Sequence, residues 1–223
     1  MNLTYLLINL GVIAVPLFLS FERKIYFASK WKYLLPAIIV AGGIFIAWDV
    51  RFTAMGVWEF NREYISGIYL LNLPLGEWLF FLTVPFACVF IYEVLNYYIK
   101  KDILGPYSRG IALINAALLL IIAAFTPDKI YTFVTFLSLG VFLLIHVFVI
   151  KSSYLGRFYL MYFVHLIPFL IVNGILTALP VVIYNNAENL SLRIYTIPIE
   201  DTQYSMLLLL LVISIYEKLR PGR

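Results

Sequence analysis

The chain has 223 residues and a formal net charge of +4; 63% of its residues are hydrophobic and only 13% are charged. A soluble domain carries about 25% charged residues, so this composition excludes an ordinary soluble globular protein and predicts that lipid surrounds most of the chain. The modest positive charge is interpreted as loop charge beside a membrane and not as a nucleic-acid-binding surface.

Seven apolar runs are candidates for membrane-spanning helices, each of which needs about 20 residues. They are predicted at residues 3–20, 33–50, 76–99, 109–126, 130–150, 158–182 and 200–217. The first run resembles a signal peptide in length, but it lacks a basic start and a small-residue cleavage site, so it is interpreted as a spanning helix. The sequence therefore predicts an all-α, polytopic membrane protein.

Lysine and arginine are distributed unevenly between the two sets of loops. Twelve of them follow the first, third, fifth and seventh predicted helices, whereas only four lie on the opposite side. Positive residues are enriched in cytoplasmic loops. This bias predicts an integral protein of a bacterial cytoplasmic membrane with its N-terminus outside and its C-terminus in the cytoplasm.

Two stretches of the chain share one layout: a proline, a short acidic group, about fifteen mostly apolar residues, and then Tyr-Glu. One stretch runs from Pro74 to Glu93 and the other from Pro198 to Glu217, so equivalent positions are 124 residues apart. The same offset pairs Asp49 with Asn173. A register that holds over so many residues predicts an internal duplication.

The offset maps the first three predicted helices onto the last three and leaves the fourth as a connector. Because one helix separates the two sets, both copies cross the membrane in the same direction, which predicts a 3+1+3 parallel repeat with a pseudo-twofold axis along the membrane normal. The predicted units are residues 1–100, the connector 101–129 and residues 130–223. Both acidic groups would then face each other across a cavity.

Carboxylates in or beside a membrane are energetically expensive and indicate a functional site. The two acidic groups contribute Glu77, Glu200 and Asp201. A proline followed by acids is also how an ordinary helix begins, since the acids complement the helix dipole. Repetition at one spacing favours function, so these three residues are the predicted catalytic acids.

Four further polar residues are predicted to support the acids. Asp49 could pair with Arg51, and its counterpart Asn173 keeps the shape without the charge. Glu93 and Glu217 end their helices, where a carboxylate opposes the helix dipole. A bond from a tyrosine, an arginine or a neighbouring helix is the favoured explanation for these two glutamates.

Large aromatic side chains cluster near the acidic groups in the sequence. They fit an interfacial belt, or a wall that holds a polyene and shields a cation. The residues predicted to contact substrate are Trp48, Trp58, Phe60, Trp78 and Tyr204.

The sequence also lacks several signatures. There is no glycine-rich dinucleotide or phosphate-binding motif, and the single cysteine, Cys88, excludes an intrachain disulfide. His146 and His165 lie on different predicted helices with no third ligand at metal spacing. Neither a metal nor an organic cofactor is therefore expected.

Six segments carry a resemblance to a known family. They are Phe45-Ile-Ala-Trp-Asp49, Gly56-Val-Trp-Glu-Phe-Asn61, Gly67-Ile68, Leu73-Pro-Leu-Gly-Glu-Trp78, Pro85-Phe-Ala-Cys-Val-Phe-Ile-Tyr-Glu93 and Ile197-Pro-Ile-Glu-Asp201. Together they resemble the membrane-integral lycopene cyclase domain, which in some organisms is a heterodimer of two small polypeptides and elsewhere, as here, is fused. The likeness covers nearly the whole chain.

The resemblance implies a lycopene β-cyclase of carotenoid biosynthesis, an isomerase or intramolecular lyase that converts linear ψ-ends to β-rings without net redox change. An acid protonates the terminal double bond, the neighbouring alkene attacks the cation, and a base removes a proton. The family usually has two acids after the first Pro-x, and this chain departs from that pattern with Gly76. Either Glu77 or the second acidic group then supplies the catalytic acid, or the chain is an impaired variant. The partners implied are a carotenoid, the bilayer, and either a homo-oligomer or other carotenoid enzymes.

A competing interpretation is a carotenoid-binding or proton- or ion-transporting membrane protein without catalytic activity. Transport usually requires a polar path across the bilayer. In this chain polar residues gather at the helix ends while the helix middles are apolar, which better suits a lipid-soluble substrate.

Overall fold

The computed structural model describes residues 2–221; Arg223, one of the predicted cytoplasmic charges, lies outside that range. Within it the chain forms seven α-helices, the fifth of which continues as a π-helical turn, His146–Ile150. The helices are α1 (Thr4–Leu19), α2 (Trp31–Ala54), α3 (Leu75–Tyr98), α4 (Gly105–Phe125), α5 (Ile130–Ile145), α6 (Leu155–Ala178) and α7 (Ile199–Leu219).

Six of these helices, α2 to α7, are long and apolar enough to cross a membrane, α5 when it is counted together with the π-helical turn that extends it to Ile150. Helix α1 is also apolar but has only 16 residues. The chain is therefore mostly helical and has the character of an integral membrane protein, as its composition predicts. The predicted helix limits differ from the observed ones by a few residues at most.

Helices α3 and α7, which begin with the acidic groups, are the most buried of the six. In their most apolar windows 56% and 61% of residues are buried, against 22% for α4. This arrangement surrounds the acidic helices with protein and leaves α4 facing outward. Placing carboxylates on enclosed helices avoids exposing them to lipid.

Three short antiparallel strand pairs, which the all-α prediction omitted, lie in the segments that precede α3 and α7. The strands are β1 (Trp58–Phe60), β2 (Tyr69–Leu70), β3 (Leu73–Pro74), β4 (Val182–Tyr184), β5 (Arg193–Ile194) and β6 (Ile197–Pro198). Strand β1 pairs with β4, β2 with β3, and β5 with β6. The first pair joins the two halves of the chain across one end of the bundle.

The two segments before α3 and α7 repeat the same backbone contacts. The Asn61 amide donates to the Val181 carbonyl at 3.0 Å, and the Asn185 amide donates to the Val57 carbonyl at 2.9 Å. The side chains of Asn61 and Asn185 each cap a short 3-10 helix. Equivalent residues are 124 positions apart, so the two segments present the starts of α3 and α7 in the same way.

Candidate functional site

A cavity of about 500 Å³ lies between α1, α3, α6 and α7, and strands β1 and β4 cover one end of it. Its walls are mostly apolar, but the carboxyl groups of Asp49, Glu77 and Asp201 reach it at the covered end. We call this the motif end, and the end of the bundle that holds Glu93 and Glu217 the opposite end. The cavity thus combines an apolar chamber with three enclosed acids.

Glu77 and Asp201 reach the cavity from the first turns of α3 and α7. Each helix follows a proline at its N-cap, Pro74 or Pro198. The proline ring fixes φ near −65°, which directs the chain into the first turn. Asp49 approaches from the last two turns of α2 and is only 3% exposed.

Tyrosine hydroxyls donate a hydrogen bond to each of the three carboxyl groups. Tyr5 donates to Glu77 at 2.5 Å and Tyr204 donates to Asp49 at 2.5 Å. Asp201 accepts two hydrogen bonds, from Tyr131 at 2.6 Å and from Tyr184 at 2.8 Å. These hydroxyls satisfy the buried carboxyl oxygens, which would otherwise be costly to enclose.

Tyr184 lies on β4, outside the potential membrane spans. Burial, together with the nearby Asp201 carboxylate, raises the pKa of its phenol well above the ordinary value. Tyr184 therefore keeps its proton and remains a hydrogen-bond donor to Asp201 at every physiological pH.

Asp49 and Glu77 both line the motif end of the cavity, close enough for their carboxyl groups to interact electrostatically. Arg51, considered above as a partner of Asp49, is exposed, and Tyr204 bonds to Asp49 instead. Among the described residues, the recorded ion pairs all involve Glu93 or Glu217 at the opposite end. Among the described residues, therefore, no ion pair neutralises Asp49 or Glu77.

Glu200, the third predicted catalytic acid, points away from the cavity. The Thr132 hydroxyl and the Leu190 amide donate to its Oε1 atom at 2.6 Å and 2.8 Å, and the residue is fully buried. These contacts hold the start of α7 against α5 and against the preceding segment. The structure therefore brings Glu77 and Asp201 together but not Glu200.

Gly76 occupies the position equivalent to Glu200, and the Tyr5 ring packs directly against it. A Cβ atom at Gly76 would lie 2.4 Å from Cδ1 of Tyr5, a distance that carbon atoms do not adopt. The Gly76 carbonyl accepts a hydrogen bond from Asn9 Nδ2 at 3.0 Å. The Tyr5 ring therefore fills the space that a side chain at position 76 would occupy.

The predicted aromatic residues divide into two groups. Trp58, Phe60 and Tyr204 line the cavity, as does the polar residue Asn173. Trp48 packs against Tyr204 with 5.5 Å between ring centroids but does not line this cavity. Trp78 is turned away and donates its indole N–H to the Leu70 carbonyl at 3.2 Å.

Glu93 and Glu217 form a reciprocal arrangement at the opposite end. Tyr92 of α3 donates to Glu217 of α7 at 2.8 Å, and Tyr216 of α7 donates to Glu93 of α3 at 3.0 Å. Glu93 also contacts two cations, Lys30 and Arg220, the latter at 2.7 Å. Both glutamates join helices through tyrosine and arginine contacts of the kind their sequence context favours.

The two histidines lie apart from the three carboxyl groups of the motif end. His146 bonds to Ser152 at 2.5 Å and to Ser214 at 3.0 Å, whereas buried His165 lines the cavity. Across residues 2–221, no group of three or more His, Cys, Asp or Glu residues is placed to hold a metal ion.

Three tyrosines of the site, Tyr5, Tyr131 and Tyr184, were missed by reasoning from the sequence. Tyr131 follows Tyr5 by 126 positions. This is two more than the 124-residue offset of the acidic groups, so that offset does not pair the two tyrosines. The chain contains 17 tyrosines, and nothing in their residue type distinguishes these three.

These features define the class: an integral membrane protein with an acidic site enclosed in an apolar cavity. The model of the lycopene cyclase family matches residues 2–95 and 128–219, which is more than half of the chain. The chain therefore belongs to the lycopene cyclase family, and the resemblance seen in its motifs is confirmed. Searches among curated proteins and among solved structures found no match.

Proposed function

We propose that this chain closes the linear ψ-ends of lycopene to β-ionone rings, which yields γ- or β-carotene without net redox change. Membership of the lycopene cyclase family supports carotenoid cyclisation in general. The observation that carries the acid–base route is the set of three carboxyl groups, each bonded to tyrosine, in an apolar cavity.

The Asp49–Glu77 pair supplies the proton. Two adjacent carboxyl groups away from water do not both ionise, since like charges repel and burial disfavours charge. The pair therefore retains a proton, which it transfers to the terminal double bond as a general acid. A C–H bond forms and the positive charge moves to the tertiary carbon of that double bond.

Ring closure follows when the neighbouring double bond attacks the tertiary cation and forms a carbon–carbon bond. The cation then resides on a ring carbon close to the aromatic walls formed by Trp58, Phe60 and Tyr204. Aromatic faces attract cations, and an apolar chamber limits capture of the cation by water. Both effects favour the cyclised product over an alcohol.

Asp201 removes the final proton. Both of its oxygens accept hydrogen bonds from phenols, and such bonds stabilise the ionised form that acts as a base. Loss of one ring proton forms the new double bond, so that one proton enters and one leaves and no oxidant is required. Glu200 acts as a positioning residue, since its contacts hold the turn that carries Asp201.

The architecture that we propose for this site is a 3+1+3 parallel repeat of seven spanning helices, with repeat units at residues 1–100 and 130–223 and the N-terminus outside. The two matched family segments leave residues 96–127 between them, and this stretch contains the whole of α4. The equivalent contacts of Asn61 and Asn185 support a common origin of the two halves.

The proposal is tested by extracting pigments from lycopene-producing cells that express this chain. The variants are Asp201→Asn and Glu77→Gln, and Glu59→Gln is the control because Glu59 is an exposed carboxylate on β1. We expect cyclised pigment from the parent chain and the control, and accumulated lycopene from the two site variants. Membrane-inserted parent chain that leaves lycopene entirely linear would contradict the proposal and favour carotenoid binding or transport.

A further inference from the structure

The apolar cavity reaches the surface of the bundle between α1 and α6. Three residues that line it are also exposed: Gly11 on α1, and Pro168 and Ile175 on α6. The surrounding surface is apolar, with Leu7 of α1 and Ile171 of α6 61% and 60% exposed. Since both helices are apolar and surface-facing, the opening faces the lipid and not the aqueous ends of the bundle.

The cavity is long as well as open at its side. Its lining on α3 runs from Glu77 to Ile91, which corresponds to about 21 Å at 1.5 Å per residue. A single ring would occupy only part of such a chamber. The length suits an extended hydrocarbon chain that enters through the side and reaches the carboxyl groups with its tip.

The equivalent gap in the other half of the chain, between α2 and α5, forms a second groove. Ile44, Phe45 and Trp48 line it at the positions that Pro168, Phe169 and Val172 hold in the first cavity. On α5, Leu137 lies at the position equivalent to Gly11, and Phe142 at the position equivalent to Pro16. Both pairs are 126 residues apart, as are Tyr5 and Tyr131. The second groove is lined by larger side chains and, among the described residues, by no carboxyl group.

We propose that the gap between α1 and α6 is the entrance through which the end of a linear polyene passes from the bilayer to the carboxyl groups, and that Gly11 sets its width. This inference rests on the proposed function for the identity of the occupant. The remainder of the substrate extends through the gap into lipid, so only one end of the substrate reaches the carboxyl groups each time it binds. A doubly cyclised product therefore requires release and re-entry of the singly cyclised molecule.

Gly11 is the position at which to narrow the entrance. A Cβ atom there would meet nothing within 4 Å, so a side chain grows into open space and does not disturb packing. Leucine is the residue that the other half of the chain uses at the equivalent position, Leu137. The control is Gly43→Leu, because Gly43 is an exposed glycine on α2 that also has no neighbour within 4 Å.

The experiment compares the parent chain, Gly11→Leu and Gly43→Leu in lycopene-producing cells, with pigment conversion normalised to protein in the membrane. We expect Gly11→Leu to lower conversion at least about tenfold, as added methylenes do in apolar pockets, and Gly43→Leu to match the parent. The singly cyclised product should accumulate before the doubly cyclised one. If Gly11→Leu does not insert, Gly11→Val takes its place.

A second measurement does not depend on turnover. Protein carrying Glu77→Gln is purified from the same cells alone, with Gly11→Leu or with Gly43→Leu, and the retained lycopene is quantified by absorbance. We expect loss of lycopene only with Gly11→Leu. If the parent chain does not convert lycopene but this pattern holds, the proposed function fails while the entrance stands. The proposed entrance is contradicted if Gly11→Leu converts and retains as much lycopene as the parent chain. It is also contradicted if Gly43→Leu loses as much conversion and retention as Gly11→Leu.

Discussion

The starts of α3 and α7 have the same backbone but differ in the residues that surround their acids. At the start of α7, Glu200 is bonded to Thr132 and Leu190 while Asp201 faces the cavity. At the start of α3, Gly76 replaces the first acid and the Tyr5 ring occupies the space of its side chain. One start therefore has an anchoring acid beside a cavity acid, and the other has only the cavity acid.

The two halves also differ in the residues near these cavity acids. Asp49 of α2 accepts a hydrogen bond from Tyr204 of α7 at 2.5 Å, whereas the equivalent positions hold Asn173 and Phe80. The first half thus places a second carboxyl group, Asp49, at the cavity near Glu77, whereas the residue equivalent to Asp49 in the second half is the neutral Asn173. Under the proposed mechanism, this difference gives the Asp49–Glu77 pair the role of proton donor and Asp201, which accepts from two tyrosines, the role of base.

The largest expected effect comes from removing the cavity acids. Glu77→Gln and Asp201→Asn keep the shape of each side chain but abolish proton transfer, so we expect lycopene conversion to fall about a hundredfold or more. Glu200→Gln should retain most of the conversion, because its contacts are structural. Pigment chromatography after equal expression makes the comparison, and a loss with Glu200→Gln as large as with Asp201→Asn would contradict the division of roles.

Gly76→Glu tests whether the first half tolerates the acid that the second half has. The new side chain collides with the Tyr5 ring, and overpacking of this kind costs about 1–3 kcal/mol. We expect a lower thermal midpoint in detergent and lower conversion. Tyr5→Ala in the same chain should restore part of the midpoint but not the conversion, because the Tyr5 hydroxyl bonds to Glu77. A more active Gly76→Glu variant would show that the missing acid is required.

Tyr204→Phe tests the hydrogen bond between Tyr204 and Asp49, because the residue equivalent to Tyr204 in the first half is Phe80. It removes the hydroxyl that donates to Asp49, and leaving a buried acceptor without a partner costs about 1–3 kcal/mol. We expect conversion to fall by less than with Glu77→Gln, with a lower thermal midpoint. The control is Tyr195→Phe, because Tyr195 is 83% exposed. Unchanged conversion and midpoint in Tyr204→Phe would show that the Tyr204 hydroxyl has no role in the site.

Much of this arrangement could be predicted from the sequence, because hydrophobic runs locate helices and a repeated spacing locates the acidic groups. The sequence could not distinguish Glu200 from Asp201, however. Successive residues of a helix point about 100° apart, so one of two neighbours faces the cavity and the other faces α5, and only packing determines which. Tyr5 and Tyr131 were missed because they lie 126 positions apart, two more than the acidic groups.

The smallest expected effect lies at the opposite end, where the two halves match. Tyr92 donates to Glu217 and Tyr216 donates to Glu93, and neither pair lines the cavity. A typical hydrogen bond contributes about 1 kcal/mol, so Tyr92→Phe and Tyr216→Phe should each lower the thermal midpoint slightly and leave conversion unchanged. The loss should be smaller for Tyr216→Phe, because Glu93 keeps contacts with Lys30 and with Arg220 at 2.7 Å, whereas Glu217 keeps Arg220 at 3.9 Å. Reduced conversion in either variant would mean that proton transfer extends to this end and that the acids of the motif end do not act alone.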